Sequence, residues 1–177
     1  RDSSKAALAA AQDAAAALPD VAEVLAALGR AQAAAGETHQ ALATFNKLAN
    51  VMPASPLPYL LMAQMQLSAK DNKAALHSLN KAVEIKADFL PAQRALVELA
   101  VASQQKDQAL ALSKSVQKQR PTQTVGYTLE GDVQAVFKQW DAAAQSYRAS
   151  LKLAASPDVA IRLYSVLNSA GKSADAD

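Results

Sequence analysis

Apolar residues recur along most of the chain at intervals of three and four, in stretches of about 14 residues, which is the spacing of amphipathic helices rather than strands. One such stretch reads PLPYLLMAQMQLSA and the next KAALHSLNKAVEIK. Short polar breaks separate paired stretches at Gly36, Asp71-Asn72, Gln104-Gln105 and Lys138-Gln139. Other helix starts are marked by Asp20 with Glu23, read as a capping box, and by Ser55-Pro56 and Ser156-Pro157, where a capping hydroxyl precedes a proline at the first helical position.

The pattern repeats. Alanine stands at 7, 41, 75, 109 and 143, each 34 residues after the last, and the next position reads Leu8, Leu42, Leu76, Leu110 and Ala144. A period of this length with two helices per unit predicts an all-α solenoid of about ten helices. Four complete units fall at 22–55, 56–89, 90–123 and 124–157, flanked by an orphan helix at 4–17 and another at 158–170, within a single domain spanning 1–177. A small residue where two helices cross lets their backbones approach. Ala41, Ala75, Ala109 and Ala143 are therefore expected to be buried, as are Gly29 and Gly131, the small positions of the first helices.

The units resemble the tetratricopeptide (TPR) repeat. The first supplies Leu25, Leu28-Gly29, Gly36, Ala41, Phe45 and Pro53; the fourth supplies Tyr127, Gly131, Trp140, Ala143 and Tyr147. The resemblance implies a superhelix whose first helices line a concave face, where Ala26, Arg30, Leu60, Gln64, Leu67, Arg94, Glu98, Val101, Thr128, Asp132 and Arg162 would meet a protein or extended peptide. One TPR specialisation clamps a C-terminal carboxylate with Lys, Asn and Arg; the matching positions here carry Ala26, Arg30, Leu61, Pro91 and Ala95, which disfavours that role. Within YTLEGDVQAVF, Gly131 is expected to pack near Tyr147 and Asp132 to face the groove. Glu130 stands where the other units have Leu or Met.

Composition narrows the function. Eighteen Lys and Arg against sixteen Asp and Glu give a net charge of +2, too balanced for a nucleic-acid footprint. There are no cysteines, and the two histidines, His39 and His77, have no ligand cluster at helical spacing, so no metal or other cofactor is expected. Glu130 and Asp132 are two apart and diverge by roughly 200° on a helix, which argues against paired acid–base work. No phosphate-cradling glycine loop or nucleophile elbow is present, and the reading is non-enzymatic. No apolar run is long enough to span a bilayer.

Residues 126–172, with LEGD, AAAQSYRASL and AIRLYSVLNSAGK, are similar to the C-terminal part of the PEP-CTERM system TPR-repeat lipoproteins. That resemblance implies a cell-envelope scaffold of a Gram-negative bacterium, periplasmic or outer-membrane-anchored, associated with exosortase and exopolysaccharide systems. The lipid anchor would lie outside this chain, which starts at Arg1 without an initiator Met as expected of a piece of a longer protein. Alternatives are a periplasmic segment of a polysaccharide-export apparatus that contacts glycan or a barrel protein, and the regulatory arm of an enzyme. Weak self-association through exposed repeat ends is also expected.

Overall fold

A computed structural model describes residues 2–171, and those residues form ten α-helices and no strands. They fall into two compact units, one through Ala92 and the other from Gln93. The first holds α1 (Asp2–Ala17), α2 (Ala22–Ala34), α3 (Thr38–Val51), α4 (Leu57–Ser68) and α5 (Asn72–Ile85). The second holds most of α6 (Leu90–Ala102), then α7 (Lys106–Gln119), α8 (Thr124–Val136), α9 (Trp140–Leu153) and α10 (Pro157–Ser169). The flanking helices thus begin at Asp2 and Pro157, slightly earlier than the apolar spacing indicates.

Consecutive helices pair as hairpins, and the turn inside each pair has one solution repeated four times. Gly36, Lys70, Gln104 and Lys138, 34 residues apart, all take positive φ, at 81°, 61°, 59° and 57°. The next residue's amide then reaches back across the helix end: Glu37 to Gln32 O, Asp71 to Gln66 O, Gln105 to Ala100 O and Gln139 to Gln134 O, each at 2.8 Å. This left-handed closure satisfies carbonyls that the helix end would leave open.

The crossing of each pair follows the small-residue expectation. Ala41, Ala75, Ala109 and Ala143 are completely buried. Ala7, which shares their register, is exposed, and no first helix precedes α1 among the described residues. A Cβ added at Gly131 would lie 2.6 Å from the Tyr147 ring, and one at Gly29 would collide with the Phe45 ring. In the first unit Leu25, Ala41, Phe45, Leu48, Leu61 and Met62 form a core; in the second Ala143, Ala144, Tyr147, Val159, Val166 and Leu167 do so.

A polar clamp recurs inside these hairpins. Thr44 donates to Gln32 Oε1 at 2.7 Å, Ser146 to Gln134 Oε1 at 2.7 Å, and Ser78 is bonded to Gln66 at 2.8 Å. In the third repeat the same positions hold Ala100 and Leu112, an apolar pair that cannot form the clamp.

Three local expectations are corrected. Asp20 and Glu23 form no capping box: the N-cap of α2 is Val21, and Asp20, one residue too early, pairs with Lys47 of α3 at 3.2 Å. Ser156 caps α10 through Val159 N as expected, but α4 begins only at Leu57, after Pro56, and Ser55 Oγ accepts from Leu57 N at 3.3 Å. The 34-residue register also shortens by one before α10, since four residues join α7 to α8 but only three join α9 to α10. The positive-φ Gly171 consequently lies 33, not 34, after Lys138. Arg162 takes the register of Leu129 rather than Thr128.

Candidate functional site

Glu98 on α6 and Asp132 on α8 occupy the same register position of successive first helices. Between these helices runs a cleft of about 280 Å³ bordered by both carboxylates and walled by Val97, Val101, Ala102, Leu129, Val133 and Val136. Its walls are apolar because α6 and α8 carry Val or Leu at successive turns on the faces they turn toward each other. Of these wall residues only Val101 belongs to the groove set expected from the sequence. The i, i+4 pairs Val97/Val101 and Leu129/Val133 were the available signal.

The two carboxylates differ in their surroundings. Asp132 accepts a hydrogen bond from the Tyr147 hydroxyl at 2.8 Å, and Arg162 Nη1 bonds both of its oxygens. Burial pushes the Tyr147 phenol well above its ordinary range, and the Asp132 charge adds to the effect. The Arg162 guanidinium is likewise held above its usual value, chiefly by its hydrogen bond to Asp132. Three helices therefore converge on Asp132. Glu98 is exposed, and its carboxylate has no hydrogen-bond or ion-pair partner among the described residues.

A second cleft of about 280 Å³ lies in the first unit, where Ala22, Glu23, Ala26 and Arg30 of α2 face Leu48, Met52 and Leu57. It gathers Ala26 and Arg30 from the expected groove set. Gln64 and Arg94 are exposed and Leu67 is half-buried. Two expected groove residues point elsewhere. Leu60 is only 9 % exposed and belongs to the core, while the Thr128 hydroxyl is bonded to Thr124 O and to Ser150 of α9, each at 3.0 Å.

Glu130, which the repeat left unaccounted for, faces α7. It accepts a hydrogen bond from Gln117 Nε2 and lies 3.9 Å from Lys114 Nζ, with its side chain only 13 % exposed. Gln117 also donates to Gly126 O at 3.3 Å, and a Cβ at Gly126 would come within 2.6 Å of the Gln117 backbone nitrogen. Glycine is needed there for the close approach of α8 to α7. Glu130 is an inter-helix fastener and takes no part in the cleft.

Among the described residues no group of three or more His, Cys, Asp or Glu is placed to hold a metal ion, and no helix is long and apolar enough to cross a membrane. His39 and His77 are exposed.

No family model matches the chain, and no curated protein matches it. Solved structures do. YrrB, described as a TPR protein with an unusual peptide-binding site, superposes with a TM-score of 0.65 at 16 % identity, over 96 % of this chain and 84 % of that one. A thermophilic TPR protein of Thermus thermophilus, TTC0263, gives 0.64 at 23 % identity over 88 % and 86 %. The chain has the tetratricopeptide-repeat fold. MamA from Desulfovibrio magneticus RS-1 gives a TM-score of 0.67 at 15 % identity over 88 % of each chain. In TPR terms, α2, α4, α6, α8 and α10 are first helices and α1, α3, α5, α7 and α9 second helices, so the α6/α8 cleft is lined by first helices alone, whereas the second cleft also takes in Leu48 of α3 and the adjoining Met52.

Proposed function

We propose that this chain is a non-catalytic scaffold that binds an extended segment of a protein partner across its first helices. The observation that carries the proposal is the α6/α8 cleft, an open apolar slot bordered by Glu98 and Asp132. Apolar slots with a few polar groups at the border are suited to receiving side chains. The peptide-binding site that YrrB is described as having supports this reading. A glycan fits less well, because these walls offer few partners to sugar hydroxyls.

The test is selection from a random peptide display library on the immobilised chain. Ala102 is exposed and lines the cleft, so Ala102→Trp fills it without disturbing the core. Enriched peptides are expected to bind the parent and to lose binding to A102W at unchanged melting temperature. Peptides that bind both equally would place recognition outside the cleft.

The cellular setting is a separate part of the proposal. The likeness of residues 126–172 to PEP-CTERM system lipoproteins supports a role in the cell envelope of a Gram-negative bacterium, in an exosortase or exopolysaccharide system, with a lipid anchor outside this chain. Ile161 and Tyr164 on α10, 64 % and 51 % exposed, support weak self-association through that repeat end. Fractionation of the native cells tests the setting, and recovery of the protein in the cytoplasm would count against it.

A further inference from the structure

We infer that the α6/α8 cleft selects an extended segment in which a lysine or arginine stands next to a bulky aliphatic residue. This rests on the reading of the first-helix surface as peptide-binding and goes beyond it by naming the ligand's chemistry. The walls set the apolar half. Val97, Val101, Leu129, Val133 and Val136 offer no hydrogen bonds from their side chains, so an aliphatic group that displaces water there gains about 25 cal/mol for each Å² it buries.

The border sets the charged half. Asp132 already has its oxygens engaged by Tyr147 and Arg162, which leaves it little to offer a ligand and takes up the charge of Arg162. Glu98 has its carboxylate in solvent, without a partner among the described residues. Arg94, one turn earlier on α6, is exposed and makes no ion pair with it. A lysine or arginine can lay its apolar stem along Val101 and leave its head at Glu98, since such side chains bury their methylenes while keeping the charge in water. An acidic side chain at the same place would face the uncompensated carboxylate of Glu98.

The experiment uses three dye-labelled, end-blocked Ser/Gly peptides of equal length, carrying two central Leu-Lys, Leu-Glu or Ser-Lys pairs. Their binding is read by fluorescence anisotropy on the whole chain, with Glu98→Gln and A102W as variants. Leu-Lys should bind at least about fivefold more tightly than either other peptide, a difference of about 1 kcal/mol. Glu98→Gln should remove most of the preference over Leu-Glu, leave that over Ser-Lys, and flatten the salt dependence of Leu-Lys binding without changing the melting temperature. If Leu-Glu binds the parent as well as Leu-Lys, or E98Q leaves Leu-Lys unaffected, the inference falls while the peptide-binding reading stands. If none of the three binds, or A102W binds all three like the parent, the reading of the cleft falls with it.

Discussion

Gly131 and Tyr147 are complementary in volume: the ring of Tyr147 occupies the space that a Cβ on Gly131 would need, with ring carbon Cε1 2.6 Å from that position. The same two register positions hold Gly29 with Phe45, Ala63 with Leu79 and Val97 with Ser113, and all eight residues are buried. As the first-helix residue grows, the second-helix residue shrinks. Each crossing is thereby filled by a different division of volume between the two side chains.

Gly29 and Phe45 test this without the complication of a hydroxyl. Alanine in a helix is intrinsically about 1 kcal/mol better than glycine, so propensity alone makes Gly29→Ala stabilising. Overpacking against the Phe45 ring costs about 1 to 3 kcal/mol, and the variant is expected to be less stable by about 1 kcal/mol in urea unfolding. Adding Phe45→Leu recreates the Ala63/Leu79 pairing. The double mutant should be more stable than the sum of the single changes, and an additive cycle would contradict volume complementarity.

The turns inside the hairpins give a prediction of opposite sign. Lys70, Gln104 and Lys138 hold a left-handed backbone that costs an L-residue about 1 to 2 kcal/mol. Glycine removes that strain but loses more entropy on folding, so each change to glycine should stabilise by about 0.5 to 1 kcal/mol. Gly36 already has the favourable residue, and a Cβ added there would meet nothing within 4 Å. The backbone conformation alone therefore sets the cost of Gly36→Ala, which should destabilise by about 1 kcal/mol. Thermal unfolding of the four single variants checks both directions.

The periodic features were legible because a solenoid writes its packing into one repeating register. The buried alanines, the glycines at 29 and 131 and the hairpin turns all follow from a count of 34 and helical spacing. What escaped depends on distances between helices. The loss of one residue before α10 is invisible unless the turn at Gly171 is aligned with that at Lys138, and it moves Arg162 one position round its helix, where it meets Asp132. Leu60 and Thr128 likewise share the register of the exposed Arg94, and only the neighbouring helices decide that they turn inward. Glu130 had no reading because its partners, Lys114 and Gln117, lie on a different helix.

Those partners make Glu130 a test of whether its charge is needed. Leu28, Met62 and Leu96 occupy the equivalent positions, so Glu130→Leu restores the pattern of the other repeats. Replacing a half-buried ionic contact by a well-packed apolar side chain is often neutral or favourable, and E130L should lie within about 1 kcal/mol of the parent. Glu130→Ala removes the same acceptor from Gln117 and also leaves space that leucine would fill, costing about 1 to 3 kcal/mol. Equal losses in the two variants would show that the carboxylate itself is required.

Tyr147 makes the second unit sensitive to high pH. Its folded-state pKa is raised above the ordinary 10.0, first by burial and then by the charge of Asp132. Below pH 10 the phenol is protonated in both states and its contribution is complete. As pH rises past that value the unfolded chain gives up the proton first and binds fewer protons than the folded chain, so stability falls. Tyr147→Phe removes the titrating group at a cost of about 1 kcal/mol for the lost hydrogen bond at neutral pH. Because the remaining tyrosines, lysines and arginines are shared by both proteins, the difference between their urea-unfolding free energies isolates this one group. That difference should be constant up to about pH 9 and then shrink as pH approaches about 11, with Tyr147→Phe becoming the more resistant protein. Parallel curves across that range would mean that the phenol is neither buried nor held against Asp132 in the folded chain.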